Sequence, residues 1–270
     1  MSKGIYTAVS GAMAQSAKMD TIANNLANVN TPGFKRDAQI FKEYISAYEK
    51  EPTTITVPRI PASVESFYDM QGGDKSYVDL AGTATDFTQG GLKPTGNPLD
   101  LALEGDGFFE VLTPEGVRLT RAGSFTIDNQ GRVTTKQGFP VLKEGTPGAD
   151  LAGRIIQTNG NKISVSDDGQ ILENGLTSVG KLSVVDVKNK DGLQKVGNNF
   201  YGFKNTITPE LSTSANSKVL QGFVESSNVN IVAEMADMIT ATRTFESTQK
   251  AISAYDEMQK RLVNDVPKLG

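Results

Sequence analysis

The 270-residue chain contains no cysteine, no histidine and no tryptophan. The missing histidine removes Ser-His-Asp chemistry and any imidazole general base. The missing cysteine removes thiol nucleophiles, disulfide frameworks, iron–sulfur clusters and thiolate zinc sites. Long apolar runs are lacking as well: nothing approaches the ~18–20 consecutive apolar residues of a membrane-spanning helix, so no span is expected. The opening MSKGIYTAVSGAMAQSAKMD has no cationic start, solid apolar core or cleavage site. It is not a Sec signal peptide, and any passage out of the cytoplasm is expected to use another route. Charge is modest, with 27 basic and 31 acidic residues for a net −4, which argues against a nucleic-acid partner.

Catalytic motifs are equally scarce. Glu104-Gly105-Asp106-Gly107 has neither the spacing nor the terminal glutamate of an EF-hand loop, and reads as a turn feeding the strand at Phe108-Phe109. Ser247 and Lys250 match S-x-x-K, but no K-T-G accompanies them. No G-x-S-x-G, phosphate-binding loop or dinucleotide fingerprint is present. The expectation is therefore a protein that is not an enzyme, with no catalytic residues, no cofactor and no metal. Two readings of other classes stay open. One is a secreted, carboxylate-dependent hydrolase of cell-wall glycan, because carboxylate pairing is spatial and invisible in sequence. The other is a β-rich binding module with helical oligomerisation arms.

What the chain does have is helical ends around a β-rich middle. From about Gly4 to Val29, Ile5, Ala8, Ala12, Met19, Ile22, Leu26 and Val29 recur at alternating steps of three and four, with Gln15 in the one missing place. That is a seam with a repeat of about 3.5 residues, on a helix roughly 40 Å long. Asn30, Pro32 and Gly33 end it. From about Asn230 to Leu262 a second stripe runs through Ile231, Met235, Met238, Phe245, Ile252, Tyr255, Met258 and Leu262. Ser226, Ser227, Asn228 and Asn230 offer oxygens to cap its start. Between the helices the period falls to two at Phe125-Thr126-Ile127, Ile163-Ser164-Val165 and Leu182 to Val187. Turns are expected at Asn129-Gln130-Gly131, Asp167-Asp168-Gly169, Asn174-Gly175 and Asp191-Gly192. The fold class is thus α+β: long terminal helices pairing in a coiled-coil-like inner domain, with a central all-β domain that is a barrel or curled sheet. The expected division is a helical assembly domain at 1–34 and 226–270, an extended connector with short strands at 35–98, and a β-domain at 99–225.

Between Gly4 and Val29 the only charged residues are Lys18 and Asp20. A helix on the surface of a soluble monomer carries a charged face opposite its apolar stripe. This one shows Ala, Ser, Thr, Asn and Gln instead, which lets other helices approach on several sides. Burial inside the chain's own β-domain is one solution; packing against copies of itself and a neighbouring C-terminal helix is the other. The C-terminal helix keeps Arg243, Glu246, Lys250, Asp256, Glu257, Lys260 and Arg261 off its stripe, so one face can stay wet. Asn24 and Asn28 lie one turn apart, where their amides can either set register with a neighbouring helix or simply end their own.

The run Ala23-Asn24-Asn25-Leu26-Ala27-Asn28-Val29-Asn30-Thr31-Pro32-Gly33-Phe34-Lys35 closely resembles the N-terminal signature of bacterial flagellar rod and hook proteins. Gln221-Gly222-Phe223-Val224-Glu225-Ser226-Ser227-Asn228-Val229-Asn230 resembles the C-terminal one. Pro98 to Phe109 and Thr120 to Phe125 resemble the central ones. Gly4-Ile5-Tyr6-Thr7-Ala8 and the length look most like the proximal-rod branch, with a distal-rod or hook-type subunit as the alternative. The resemblance implies a structural axial subunit of the basal body that polymerises into a helical tube and transmits torque. It implies export through the flagellar type III apparatus and assembly in the periplasmic rod, with copies of itself and other rod proteins as partners. The terminal helices would form the inner tube, and Phe34 would dock after the Thr31-Pro32-Gly33 turn. The assembly interface is then expected to comprise the two stripes together with Asn24, Asn28 and Phe34.

Overall fold

The computed structural model describes residues 3–46, 75–145, 151–158, 163–204, 211–213 and 217–265. Two long helices, α1 (Lys3–Ala27) and α2 (Ile231–Asp265), stand at the ends of the described chain, and strands fill the space between. The fold is α+β, as the change of period along the sequence requires. None of the described helices is long and apolar enough to cross a membrane.

The chain divides into two compact units. One takes in Met1–Ala23, Ala38–Ala84 and Ala233–Gly270: most of both helices and a two-stranded ribbon of β1 (Asp37–Ser46) and β2 (Lys75–Thr85). Of the connector expected at 35–98, residues 37–46 and 75–85 form this ribbon, and residues 47–74 lie outside the described chain. Within this unit the helices pack together: the Thr242 hydroxyl lies 3.5 Å from Met19 Sδ. Thr21 Oγ1 in turn donates to Gln39 Oε1 at 3.0 Å, tying α1 to β1.

The second unit, Asn24–Asp37 and Thr85–Val232, holds the remaining strands, among them β7 (Phe125–Ile127), β8 (Val133–Thr135), β9 (Ile163–Val165), β10 (Gln170–Glu173) and β11 (Thr177–Lys181). Its largest sheet is antiparallel and six-stranded among the described residues. Its strands, in spatial order, are β13 (Leu193–Lys195), β14 (Phe200–Phe203), β6 (Gly116–Thr120), β5 (Phe108–Thr113), β12 (Val184–Val187) and β15 (Leu211–Thr213). The order does not return on itself, so this sheet is open rather than a closed barrel. Successive side chains on a strand point to opposite faces, and β5 uses this to serve two cores. Phe109 joins Leu101, Leu103, Phe125, Val141, Ile156 and Leu182, whereas Phe108 joins Leu119, Val187, Leu193 and Tyr201. Near the end of the unit β16 (Lys218–Gln221) pairs with β4 (Leu101–Glu104), and β17 (Phe223–Glu225) pairs with β3 (Leu92–Pro94). The chain therefore comes back beside its own early segments before it enters α2.

Candidate assembly interface

The faces of the two helices follow from their residues. On α1, Ala12, Ala14 and Ile22 are buried, while Tyr6, Val9 and Met13 form an exposed apolar stripe at steps of three and four. On α2, Glu234 and Ala241 are buried, and Val232, Met235 and Ile239 are exposed at 78%, 49% and 55%. Hydroxyl groups on these faces satisfy themselves on their own helix. Ser10 bonds to Thr7 O, and Thr240, Thr242, Thr244 and Thr248 each bond to the carbonyl four residues before. The exposed stripes are thus apolar with flanking hydroxyls already bonded, while Arg243, Glu246 and Lys250 stand exposed elsewhere on α2. An open groove runs between the helices, lined by Val9, Ala12, Met13 and Ser16 on one side and Phe245, Gln249, Ile252 and Ser253 on the other. Further along α2, Lys260 pairs with Asp256 and Arg261 with Glu257, both at 2.7 Å and one turn apart, so the charged face of the sequence is an exposed one.

In the β-rich unit, the segment after α1 and the segment before α2 meet in one buried ionic cluster. Gly33 adopts φ +69°, and a Cβ there would lie 2.4 Å from Ala122 N, so only glycine fits the turn. Its N–H donates to Glu225 O at 2.8 Å. Phe34 is buried beneath the Lys195 ammonium, which sits 4.0 Å from the ring centroid. The Lys35 side chain is fully enclosed: Nζ lies 2.5 Å from Glu225 Oε1 and donates to Thr88 O at 2.7 Å. Burial pulls the Lys35 ammonium below its ordinary pKa, against the pull of Glu225. Glu225 also accepts from Gly90 N at 2.9 Å and from Arg121 Nη1 at 3.3 Å. Arg121 Nη2 reaches Gly105 O at 2.8 Å, and its guanidinium lies 5.3 Å from the centroid of Phe108. Burial raises the pKa of the neighbouring Tyr201 phenol.

Asparagine amides complete the clasp. Asn25 donates to Asp37 O at 2.8 Å and accepts from Asp37 N at 3.0 Å, a paired bond that mimics a strand partner. Asn228 accepts from Arg36 N at 2.7 Å and donates to Asp86 O and Thr88 O.

Of the residues expected at the interface, Ala12, Ile22 and Phe34 are buried within the chain. Ile5, Ala8, Met19, Leu26, Asn28, Val29, Met238, Phe245 and Ile252 are half-buried, and Asn24, Ile231, Met235, Tyr255 and Met258 are exposed. The Leu262 side chain lies outside the described residues. Asn28 turns its amide onto Asn24 O at 2.9 Å and so closes its own helix end. Of the capping candidates before α2, Asn230 takes the N-cap role, accepting from Val232 N at 3.0 Å. The sequence reading missed Asn25, Lys35, Arg121, Lys195 and Glu225 as working groups. Asn25, Lys35, Arg121 and Glu225 fall within the quoted runs, and Lys195 lies outside all of them.

Comparison with known proteins fits this geometry. Residues 5–35 match the family described as "Flagella basal body rod protein", residues 102–173 the "Flagellar hook protein FlgE/F/G D1 domain", and residues 220–265 the "Flagellar basal body rod FlgEFG protein C-terminal". The flagellar basal-body rod protein FlgG of Bacillus subtilis is 31% identical over 280 residues, covering 98% of this chain and 99% of its own. The chain belongs to the flagellar basal-body rod proteins. FlgG of Borreliella burgdorferi is 33% identical over 268 residues (96% of each chain), and FlgF of Caulobacter vibrioides 31% over 270 residues (100% of each). As a rod protein it is a structural subunit of the basal body, not an enzyme. The two terminal matches take in Lys35 and Glu225, so the buried ion pair joins the two rod signatures of the chain.

Proposed function

We propose that this rod protein polymerises head-to-tail with its own copies and other rod proteins into a helical tube that carries torque, with the terminal helices inward and the β-rich unit outward. The observation that carries the reading is the pair of exposed apolar stripes on the helices, Tyr6, Val9 and Met13 on α1 and Val232, Met235 and Ile239 on α2. A monomer leaves such surface in water at a cost of about 25 cal/mol per Å² of apolar area, and a polymer recovers it. Contacts between unlike patches that do not close produce helical assemblies. The expected interface residues, including the exposed Asn24 and the half-buried Leu26 and Phe245, would then contribute from the flanks of both helices. Export would run through the flagellar type III apparatus, with the periplasm as the site of assembly.

The finer placement is the proximal rod. It is supported by the opening Gly4-Ile5-Tyr6-Thr7-Ala8 and by an alignment with Caulobacter FlgF that spans both chains in 270 residues. The FlgG relatives favour the distal rod as the second reading. A density map of intact basal bodies carrying a labelled copy separates the two. Label at the membrane-side base of the rod supports the proximal placement, label next to the hook overturns it, and label outside the axial structure sinks both.

A further inference from the structure

We infer that the exposed stripe Val232-Met235-Ile239 on α2 of one copy seats in the α1/α2 groove of another. This rests on the rod reading and names the two surfaces that the polymer would join. The eight residues that line the groove, Val9 to Ser16 on α1 and Phe245 to Ser253 on α2, carry no charge, and Glu246 and Lys250 lie on the adjoining face of α2. Small side chains, Ala12, Ser16 and Ser253, alternate there with Val9, Met13, Phe245 and Ile252, a relief that admits the ridge of a third helix. The stripe is uncharged and of matching length. Seven residues separate Val232 from Ile239 and seven separate Val9 from Ser16, roughly 10 Å of helix in each case. Met13 on the groove rim is 65% exposed, and Val232 at the head of the stripe is 78% exposed. Neither surface is satisfied within its own chain.

The occupant is a second copy because of the size of the contact. Two helical turns in a groove cover far less than the ~1,200 Å² of a stable independent interface. A freely diffusing partner would not stay bound there. A copy already held nearby by the rest of a polymer would, because its effective concentration is high. Stripe and groove are different surfaces of one chain, so the contact propagates from copy to copy instead of closing into a dimer.

The absence of native cysteine makes the test clean. Met19 and Thr242 touch, which sets the two helices antiparallel with the groove residues Val9–Ser16 opposite Phe245–Ser253. Met13 and Met235 of one chain therefore lie roughly 20 Å apart along the bundle. A disulfide needs Cα atoms within about 7 Å, so a bond between these positions has to join two chains. Basal bodies from cells expressing the double variant M13C/M235C, oxidised and run without reductant, are expected to give a ladder of covalent multimers containing this chain. Each single variant is expected to stay monomeric on the gel. Cross-linking by M13C alone or M235C alone overturns the inference, because it reports like-to-like contact. Motile cells whose double variant gives no ladder also overturn it while leaving the rod reading intact. Absence of the wild-type chain from purified basal bodies overturns the rod reading instead. A charge arm covers the case in which cysteine disturbs assembly. Met13→Lys and Met235→Glu are each expected to abolish swimming while leaving the thermal unfolding of the purified protein unchanged, and the pair together is expected to restore swimming. No restoration by the pair counts against the contact.

Discussion

Replacing Glu225 with glutamine removes the carboxylate that ion-pairs, among the described residues, with two buried cations, Lys35 and Arg121. Both would remain dry without an ion-pair contact among the described residues. Breaking a buried ion pair from one side costs about 3–5 kcal/mol, a large share of the 5–15 kcal/mol that holds a typical domain together. At about 2–4 °C per kcal/mol for a unit of this size, the melting temperature is expected to fall by roughly 6–20 °C. Lys35→Met is expected to behave differently. The surviving Arg121–Glu225 pair is balanced, and the acceptors that Lys35 leaves keep other donors: Thr88 O from Asn228 Nδ2 at 3.1 Å, and Glu225 Oε1 from Gly90 N at 2.9 Å. Methionine fills the space of the lysine stem, so the cost should stay within about 1.5 kcal/mol. The assay is urea unfolding of each purified variant, followed by circular dichroism and by the fluorescence of the seven tyrosines, since no tryptophan is present. Equal destabilisation by the two variants, or a Glu225→Gln protein as stable as wild type, would refute the view that the cluster depends on a single central anion.

Gly33→Ala forces a Cβ to 2.4 Å from Ala122 N at φ +69°, and a loss of about 2–4 kcal/mol in the same unfolding assay is expected. Asn25→Ala leaves the Asp37 N–H without its Oδ1 acceptor, and a cost of about 1–3 kcal/mol is expected, with no recovery from the shape-mimic Asn25→Leu. Tyr201→Phe removes a buried hydroxyl that has no hydrogen-bond partner among the described residues, so stability at neutral pH should hold or rise by up to about 1 kcal/mol. The same substitution should change the alkaline limb. With the folded phenol's pKa raised above 10.0, only the unfolded chain ionises there, and the wild type loses stability as pH climbs past about 10. That loss should shrink in the variant, and identical alkaline profiles would contradict the assignment. Limited proteolysis should cut within the exposed lengths of α2 and α1 first and leave a fragment that retains both Lys35 and Glu225. Early cleavage between β4 and β6 would oppose it.

Legibility in the sequence tracked the range of the interactions. The helices were readable because their period and their caps are local: Ile22 and Ala12 sit on the buried side of α1, and Asn230 caps α2. The turns at Gly131, Gly169 and Asn174-Gly175 were readable because a positive φ selects glycine or asparagine at that position. The strands at Phe125–Ile127 and Ile163–Val165 followed from alternation. Lys35 and Glu225 were not readable as partners. They lie 190 positions apart, and nothing in a lone lysine or glutamate says that it is enclosed. The exposed stripes were hidden for another reason. Seam counting picks one period and assigns it to one interface, yet Met235 and Tyr255 fall on the outer flank of the same helix whose Ala241 is buried. Which flank faces water depends on the partner helix, and no single-helix pattern contains that.

The near-absence of charge on α1 gains its meaning from how its polar residues are spent. A buried charge would require a partner of opposite sign in every neighbouring copy, with a desolvation cost that pairing only partly returns. Threonine and serine avoid this by bonding to their own helix: Ser10 to Thr7 O, and the threonines of α2 to the carbonyl one turn back. Such a face can be covered by another helix or left in water with little change in its hydrogen bonding. That suits a rod protein, whose family assembles with other rod subunits. The charged cluster is placed where that ambiguity does not arise, within the β-rich unit at the two points where the chain leaves it for the helices. There the ionic contacts confer specificity, because a misplaced Lys35 or Glu225 would leave a buried charge unpaired, and a rod subunit whose two signatures failed to meet would not be folded.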